Sequence, residues 1–271
     1  MHVDNNSYII ISEVFYPKRE LKKLGLFDFI TKAPTDSEIK GDIGENLTRI
    51  AAKTLTNGLV LHDILINGNE GYTSQIDLIV IGSKGIYVFE VKSFGNARIY
   101  GDRKNSKWYY YKHGSKYEIY NPIKQNQKHI QYLKTFLKDF GDIPFYSVIA
   151  LLCDDFQISG ESDGRTVIFN KLIDTSRALV AVAKKSPEIL DKAKKQAIFD
   201  YINSHQIIGK DARQEHKEKV KSYKNDLENM RKQKICPYCK TELVLRSGKN
   251  GQFYGCKNYP GCRYTQKLSD K

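Results

Sequence analysis

The sequence lacks any long uncharged apolar run, which excludes a membrane-spanning helix, since such a helix needs about 18 apolar residues. The first 16 residues carry acidic side chains and no basic cluster ahead of the apolar stretch Tyr8–Ser12, unlike a secretory signal. No Gly-Lys-Ser/Thr phosphate-binding motif follows the short Gly41–Gly44 segment, and no internal repeat is visible. We therefore expect a cytoplasmic protein without an ATPase motif of its own. Any helicase, or any repair or defence factor, would then be a separate partner.

The charge of the chain is its first positive clue. Hydrophobic residues make up 40% and charged residues 28% of the 271 positions, so a packed globular core is expected. The net charge of +13 is unevenly placed, because residues 205–271 hold 16 basic and 7 acidic side chains. This excess indicates a polyanionic partner, most plausibly nucleic acid; the alternative explanations are solubility and an RNA-rich cytosol.

Four of the five cysteines lie in the last 36 residues, as the pairs Cys236/Cys239 and Cys256/Cys262. Two close thiol pairs separated by a short hairpin-like segment are typical of one tetrahedral structural zinc ion held by four thiolates. Two disulfides would need an oxidising compartment, and a redox motif would not explain the second pair. The fifth, Cys153, lies in an apolar run and is expected to be a buried structural thiol.

The apolar patterning predicts an α/β core with a mixed sheet flanked by helices, followed by a charged helical linker and a small β-rich zinc ribbon. The corresponding boundaries are 1–37 for a lead-in, 38–205 for the core, 206–234 for the linker and 235–271 for the ribbon. The predicted strands are Leu59–Ile66, Ser74–Ile81, Gly85–Ser93, Arg98–Gly101, Lys107–Lys112, Tyr146–Cys153 and Arg165–Phe169, and the predicted helices are Asp42–Leu55, Pro122–Phe140, Leu172–Lys185 and Pro187–His205.

Charged residues interrupt two apolar strands that a short turn joins. Asp77 lies in the first strand, and Glu90 and Lys92 lie at the end of the second. Residues two apart project from the same face of a strand, so Glu90 and Lys92 project together, and pairing across the turn brings Asp77 near Glu90. Two converging carboxylates suit Mg²⁺ or Mn²⁺, and an adjacent lysine can hold a water. The alternative is a simple ion pair on a strand.

Two further residues could join this cluster. Glu45 lies near the start of the first predicted helix, where glycines permit a close approach to substrate. Gln125 lies near the start of the long helix after Pro122 and could orient a water or a phosphate oxygen. Each also has an ordinary explanation, since Glu45 can interact with the helix dipole and Gln125 can be an exposed polar residue. His62, His113 and His129 are isolated and are expected to be surface or packing residues.

Residues about 38 to 140 resemble the nuclease-related domain (NERD), a branch of the restriction-endonuclease-like PD-(D/E)xK superfamily. The matching elements, in chain order, are Gly41–Glu45, Gln75–Asp77, Val88–Lys92 and Asn121–Gln125. The superfamily proline is missing, because Ile76 precedes Asp77.

The resemblance implies a metal-dependent DNA nuclease with a restriction-endonuclease-like fold. Asp77, Glu90 and the Val91 carbonyl would hold Mg²⁺, Glu45 would complete its shell, and Lys92 would position or deprotonate the attacking water. Gln125 would orient the phosphate or the water. The product implied is a 5′-phosphate end. The alternatives left open are a catalytically silent DNA-binding adaptor and an RNA-directed enzyme or binder.

The segment Cys236–Gln266 resembles the C-terminal zinc finger of bacterial type IA topoisomerases, a family of DNA-binding ribbons chiefly for single strands. Aromatic and basic side chains alternate through it, a pattern that suits stacking on unpaired bases and contact with phosphates. Phe253 and Tyr264 are expected in the small core of the ribbon. The predicted DNA-binding residues are Tyr238, Lys240, Arg246, Lys249, Tyr254, Lys257, Tyr259 and Arg263.

Four consecutive aromatic residues, Trp108–Tyr111, lie in another predicted strand. Because side chains alternate along a strand, half of them are expected to be buried, and the other half could line a substrate groove.

Overall fold

The computed structural model describes residues 58–68, 73–248 and 251–268. The chain divides into two compact units, with the boundary between Ile207 and Ile208. Within the described ranges, no helix is long and apolar enough to cross a membrane. The predicted lead-in 1–37 and the predicted helix Asp42–Leu55 lie outside the described residues.

The first unit is built on a seven-stranded mixed sheet in which β1 to β5 pair in sequence order and antiparallel. The sixth strand pairs parallel with β3, and the seventh pairs parallel with the sixth. The strands are β1 Leu59–Asn67, β2 Thr73–Gly82, β3 Gly85–Asp102, β4 Lys107–Lys112, β5 Ser115–Tyr120, β6 Phe145–Ser159 and β7 Thr166–Phe169.

The centre of the sheet is buried on both faces, as the apolar density of β2 and β3 predicts. The helices that cover it are α1 Pro122–Phe136, α2 Thr175–Val182 and α3 Lys192–His205. On one face, Ile79 and Val88 pack with α1 and α3; on the other, Val80 and Phe89 pack with α2.

The α/β class and the helix-flanked mixed sheet are confirmed, while several predicted boundaries differ. The predicted helix Pro122–Phe140 ends at Phe136 and is followed by a 3-10 turn, Lys138–Phe140. Arg98–Gly101 is not a separate strand, because β3 continues through it to Asp102. The sequence gives no prediction for β5, whose side chains are almost all exposed and therefore lack an apolar alternation.

The second unit contains the charged helix α4, Lys210–Lys232, and a three-stranded antiparallel sheet of β8 Leu243–Gly248, β9 Gly251–Cys256 and β10 Thr265–Lys267. No residue of α4 is buried. The Gln266 amide donates to the Arg231 carbonyl at 3.2 Å and so ties the end of α4 to the ribbon. The predicted order of a charged helix followed by a β-rich ribbon is therefore confirmed.

Candidate functional site

The candidate site forms where β2 and β3 part. The pairing of β2 with β3 begins at the turn, where Gly82 lies opposite Gly85, and ends where Leu78 lies opposite Phe89. One residue further, Asp77 Oδ2 accepts a hydrogen bond from the Val91 backbone N–H at 2.7 Å, so a side chain takes the place of the next strand contact. On this side of β3, the next paired segment is Arg98–Tyr100 with β4. The β3 backbone between these two segments is therefore open to ligands as far as the described residues show.

The β1–β2 ladder is also interrupted here. Asp63, which lies across from Asp77 between two regular pairs, has a backbone φ of +54°. Few residues other than glycine adopt this left-handed conformation, and asparagine and aspartate do so more readily than most. The Asp63 carboxylate accepts a hydrogen bond from Gln75 at 2.7 Å. This local distortion leaves Asp77 outside the regular hydrogen-bond ladders of both neighbouring strands.

Glu90 is the buried centre of the site, with 1% of its surface exposed. The Lys92 ammonium lies 2.6 Å from Glu90 Oε1, so the two side chains do project together, as the strand alternation predicts. His129 Nε2 lies 3.2 Å from Glu90 Oε2, and His129 Nδ1 lies 2.6 Å from Ser74 Oγ. A buried carboxylate is costly unless it is paired, and these contacts supply the pairing.

Among the described residues, His129 is a member of the site that the sequence does not predict. It was expected to be an isolated surface or packing residue, but it lies on α1 directly over Glu90. The available signal was its spacing from Gln125, because residues four apart share one face of a helix. Gln125 is half-buried on that same face.

Two asparagines fix the position of α1. Asn121 caps the helix by accepting from the Ile123 and Lys124 N–H groups, and its own amide donates to three carbonyls of the loop 102–105. Asn126 is fully buried and donates to the Val88 carbonyl of β3. The helix that carries Gln125 and His129 is therefore anchored to the strand that carries Glu90.

The pKa of Asp77 is raised from 3.8 to about 6. Desolvation by the surrounding protein is the largest cause, and the negative charge of Glu90 adds to it. The Val91 N–H and the positive charge of Lys92 act in the opposite direction. The carboxylate reaches solvent although protein surrounds it on most sides. A nearby cation would favour its charged form.

The residues present fit a divalent cation. Glu90 supplies a buried carboxylate whose Oε1 faces the Lys92 ammonium, and Asp77 supplies a second carboxylate beside the same strand. Carboxylate and carbonyl oxygens are the ligands that Mg²⁺ and Mn²⁺ prefer. Glu45, predicted to complete the shell, lies outside the described residues.

The four cysteines of the ribbon come together as a metal site. Their sulfur atoms all lie within 4.8 Å of one another, with 3.2 Å between Cys239 and Cys256 and 3.6 Å between Cys236 and Cys262. Four thiolates at about 2.3 Å from a tetrahedral zinc ion would be about 3.8 Å apart, so the set fits Zn²⁺. Thr241 lies 3.0 Å from Cys239 and helps lower the pKa of that thiol to about 6. Within the described chain, no other group of three or more such side chains converges.

The predicted DNA-binding residues of the ribbon fall into two groups. Tyr238 and Tyr259 are exposed by 77% and 60%, and the Arg246 guanidinium lies 5.7 Å from the Tyr259 ring centroid. Tyr254 and Tyr264 instead pack partly against the cysteine cluster, as expected for Tyr264. Lys240, Lys257 and Arg263 are exposed, and Lys249 lies outside the described residues.

Comparison with known proteins gives two family matches. Residues 40–152 match the nuclease-related domain, and residues 233–271 match the topoisomerase DNA-binding C4 zinc finger. An uncharacterized protein of Bacillus anthracis is 28% identical over 182 residues, which are 65% of this chain and 82% of that protein. No solved structure is a significant match.

The ribbon has relatives of its own. DNA topoisomerase 1 of Methanocaldococcus jannaschii is 50% identical over 38 residues, which are 14% of this chain and 5% of that protein. The uncharacterized protein YrdD of Escherichia coli is 49% identical over 45 residues, 17% of this chain and 25% of that protein. The chain therefore spans only a small part of these two relatives. The predicted domain composition is confirmed, because the two family models match the regions in which a nuclease-related domain and a topoisomerase-type four-cysteine zinc finger are expected.

Proposed function

We propose that this protein is a divalent-metal-dependent DNA nuclease that hydrolyses phosphodiester bonds, and that its zinc ribbon binds DNA, preferably as a single strand. One observation carries the proposal. Asp77 is fixed to β3 at Val91, between the buried Glu90 and the partly exposed Lys92, where β3 has no paired neighbour on that side among the described strands. Two carboxylates, a backbone carbonyl and a lysine thus share one open segment.

Each residue has a role in the proposed reaction. Asp77, Glu90 and the Val91 carbonyl would hold Mg²⁺ or Mn²⁺, which would polarise the scissile phosphate and stabilise its developing negative charge. Lys92, with 32% of its side chain exposed, positions the attacking water or helps to deprotonate it. Glu45 would complete the metal shell, and Gln125 would orient the phosphate or the water. The product carries a 5′-phosphate end.

His129 adds a positioning role to this scheme. Its Nε2 faces Glu90 Oε2, and its Nδ1 is engaged by Ser74, so both ring nitrogens have a fixed neighbour. Such outer partners hold a metal-binding carboxylate in one orientation. We assign His129 to holding Glu90 and not to contact with the substrate.

The zinc ribbon supplies binding without chemistry. Four thiolates fill a tetrahedral zinc ion and leave no open position for a reacting water. The exposed rings of Tyr238 and Tyr259 offer stacking surfaces, and Lys240, Lys257 and Arg263 offer positive charges for phosphates.

One observation favours a second candidate, a catalytically silent DNA-binding adaptor. Both Glu90 oxygens already face a basic side chain, Lys92 or His129, and this network can exist without a metal ion. The raised pKa of Asp77 favours the nuclease. Desolvation of a carboxylate does not stabilise the fold, and strongly shifted pKa values cluster at functional sites.

Cleavage of supercoiled plasmid, labelled single-stranded DNA and labelled RNA, with Mg²⁺ or Mn²⁺, tests the proposal. Wild type is expected to cut DNA, and Asp77→Ala and Lys92→Ala are expected to bind DNA without cutting it. Asp139→Ala and Lys128→Ala, both exposed positions on or after α1, serve as matched controls and should cut normally. Binding without cleavage by wild type would favour the adaptor, and preferential cleavage of RNA would favour an RNA-directed enzyme.

A further inference from the structure

A row of three aromatic rings crosses the strands next to the candidate site. Phe94 follows Lys92 on β3 by two residues. The ring centroid of Phe94 lies 4.8 Å from that of Tyr110 on β4, and the Tyr110 ring stacks on the ring of Tyr117 on β5 at 4.9 Å. We call Phe94, Tyr110 and Tyr117 the ring row. The row leads from the strand that carries the site to the edge of the described sheet.

The ring row lies on the same side of the sheet as the Lys92 side chain. On β6, Leu151 lies opposite Lys92, and paired residues of neighbouring strands project from the same face. Leu151 belongs to the apolar cluster against which Phe94 and Tyr110 pack. Tyr117 shares this face, because it pairs with Tyr110 across β4 and β5. The row and the candidate site are therefore on one side of the sheet.

The outer end of the ring row is open to a ligand. Tyr117 is exposed by 46%, and among the described strands β5 pairs with β4 alone. Phe94 and Tyr110 are partly buried, because they pack against the apolar cluster that contains Trp108. The core thus fixes the inner end of the row, and the outer end presents an exposed ring to which a further planar group can be added.

A lysine lies beside the ring row. Lys112 follows Tyr110 by two residues on β4 and so projects from the same side of the strand. A side chain at Gly95, the residue after Phe94, would begin 3.5 Å from the Lys112 ammonium, so this cation reaches β3 next to the row. Among the described residues, no acidic side chain forms an ion pair with Lys112. The cation is therefore placed to contact a phosphate.

We propose that the ring row binds one base of a single DNA strand, which stacks on the exposed side of Tyr117 while Lys112 contacts a neighbouring phosphate. A phosphodiester bond held beside Lys92 carries a nucleoside on each side, so a base comes within reach of rings that begin two residues further along β3. Every base has a planar π-face, and an unpaired strand can offer that face to a tyrosine. This role of the ring row rests on the proposed nuclease function, because the phosphate at the site brings the base to the row.

Cleavage of an end-labelled oligothymidine that carries one tetrahydrofuran abasic residue tests the role of the ring row. The test variant is Tyr117→Leu. The matched control is Tyr111→Leu, because Tyr111 is 43% exposed on the same β4–β5 hairpin but packs edge-to-face with Tyr100 on the opposite side. Tyr117→Phe keeps the ring and removes the hydroxyl, and Lys112→Gln removes the charge. Circular dichroism should show that all variants are folded.

The positions of the cuts report on the missing base. Wild type should cut poorly at linkages that lie at one fixed offset from the abasic residue, because the base that would stack on Tyr117 is absent there. Tyr117→Leu should cut these linkages as often as their neighbours, since it has no ring for the base to lose. Tyr117→Phe and Tyr111→Leu should keep the wild-type pattern.

Binding is measured separately by fluorescence anisotropy with unmodified oligothymidine, without added Mg²⁺ or Mn²⁺. The background is Tyr238→Leu/Tyr259→Leu, in which the ribbon has lost its exposed rings. Tyr117→Leu should bind at least about 5-fold more weakly than its parent, and annealing the oligonucleotide to its complement should remove this difference. Tyr111→Leu should bind within about 2-fold of its parent. Lys112→Gln should reduce the slope of log affinity against log salt concentration by about one.

Several results would overturn the role of the ring row. An abasic pattern that persists in Tyr117→Leu would do so and would leave the nuclease in place, as would equal binding by Tyr117→Leu and Tyr111→Leu. If wild type cuts no DNA, the proposed nuclease function fails, and the binding comparison alone then decides whether the row holds a base. A lower mass in solution for Tyr117→Leu, without a change in DNA affinity, would assign the row to a second copy of the chain.

Discussion

The two units hold their charged groups in place by different means. In the first unit, Glu90 is fixed by a sheet whose central residues are buried on both faces and by a helix anchored through Asn121 and Asn126. Among the described residues of the ribbon, the buried hydrophobic ones are Cys236, Leu243 and Cys256, and two of these three belong to the four-cysteine cluster that could hold zinc. We expect the first unit to fold without a metal ion at Glu90, where such an ion would serve catalysis. In the ribbon, by contrast, zinc would provide much of the folding free energy.

The largest expected effect is the loss of zinc from the ribbon. Structural zinc contributes about 10–16 kcal/mol in zinc-finger peptides, so Cys256→Ser should unfold the ribbon and leave the sheet unit folded. Metal analysis should show loss of one zinc per chain, and limited proteolysis should cut only the second unit. Cys153→Ala is the control, because Cys153 lies in β6 and burial raises its pKa to about 12. Unfolding of the first unit in Cys256→Ser would contradict the claim that only the ribbon depends on zinc for its fold.

The next effect concerns the core of the first unit. Trp108 is fully buried, and its indole N–H donates to the Asp102 carbonyl at 2.8 Å. Trp108→Ala should lower the free energy of unfolding of this unit by about 3–5 kcal/mol without a change in zinc content. Chemical denaturation followed by tyrosine fluorescence, with Tyr117→Leu as a surface control, measures the difference. A loss of zinc in Trp108→Ala would show that the two units do not stabilise themselves separately.

A smaller effect is expected from His129. Removing an outer partner of a metal-binding group typically costs about 10–100-fold in activity or metal affinity. His129→Ala should therefore lower the DNA cleavage rate by that factor and raise the Mg²⁺ concentration needed for half of the maximal rate. His205→Ala changes an exposed histidine at the end of α3 and should leave both quantities unchanged. An unaltered Mg²⁺ requirement in His129→Ala would exclude the positioning role.

The smallest effect is a pH-dependent gain in stability from Asp77→Asn. The pKa of Asp77 rises from 3.8 to about 6 on folding, so the folded state binds more protons between these two values. The stability of the wild type therefore falls as the pH rises through this window. Asp77→Asn removes this pH dependence. The stability of the variant relative to wild type should therefore grow from pH 4 to about 6.5 and then stay constant. Thermal unfolding without added Mg²⁺ measures this, and a difference that is independent of pH would contradict it.

The sequence predicts those features that local patterns determine. The β2–β3 hairpin follows from two apolar runs and a turn, and the alternation along β3 places Glu90 beside Lys92. The cysteine spacing predicts a four-thiolate cluster because so few residues separate the ligands within each pair.

Contacts between distant segments could not be predicted in the same way. His129 meets Glu90 because Asn126 anchors α1 to β3, a contact between residues 38 positions apart. The β5 strand escaped prediction because an edge strand exposed on most positions has no apolar period. The hydrogen bond from Val91 to Asp77 depends on the exact point at which β2 and β3 part, and no pattern in the sequence marks that point.

The central claim is that Asp77 and Glu90 hold a metal ion that cuts DNA. The most direct measurement is the rate of cleavage of labelled single-stranded DNA as a function of Mg²⁺ concentration, for wild type and for Asp77→Asn. Asparagine keeps an oxygen for the Val91 N–H but loses the charge, so the local structure is preserved. We predict metal-dependent cleavage by wild type and none by Asp77→Asn, at equal DNA affinity. Equal cleavage by the two proteins, or none by either at any Mg²⁺ concentration, would contradict the account.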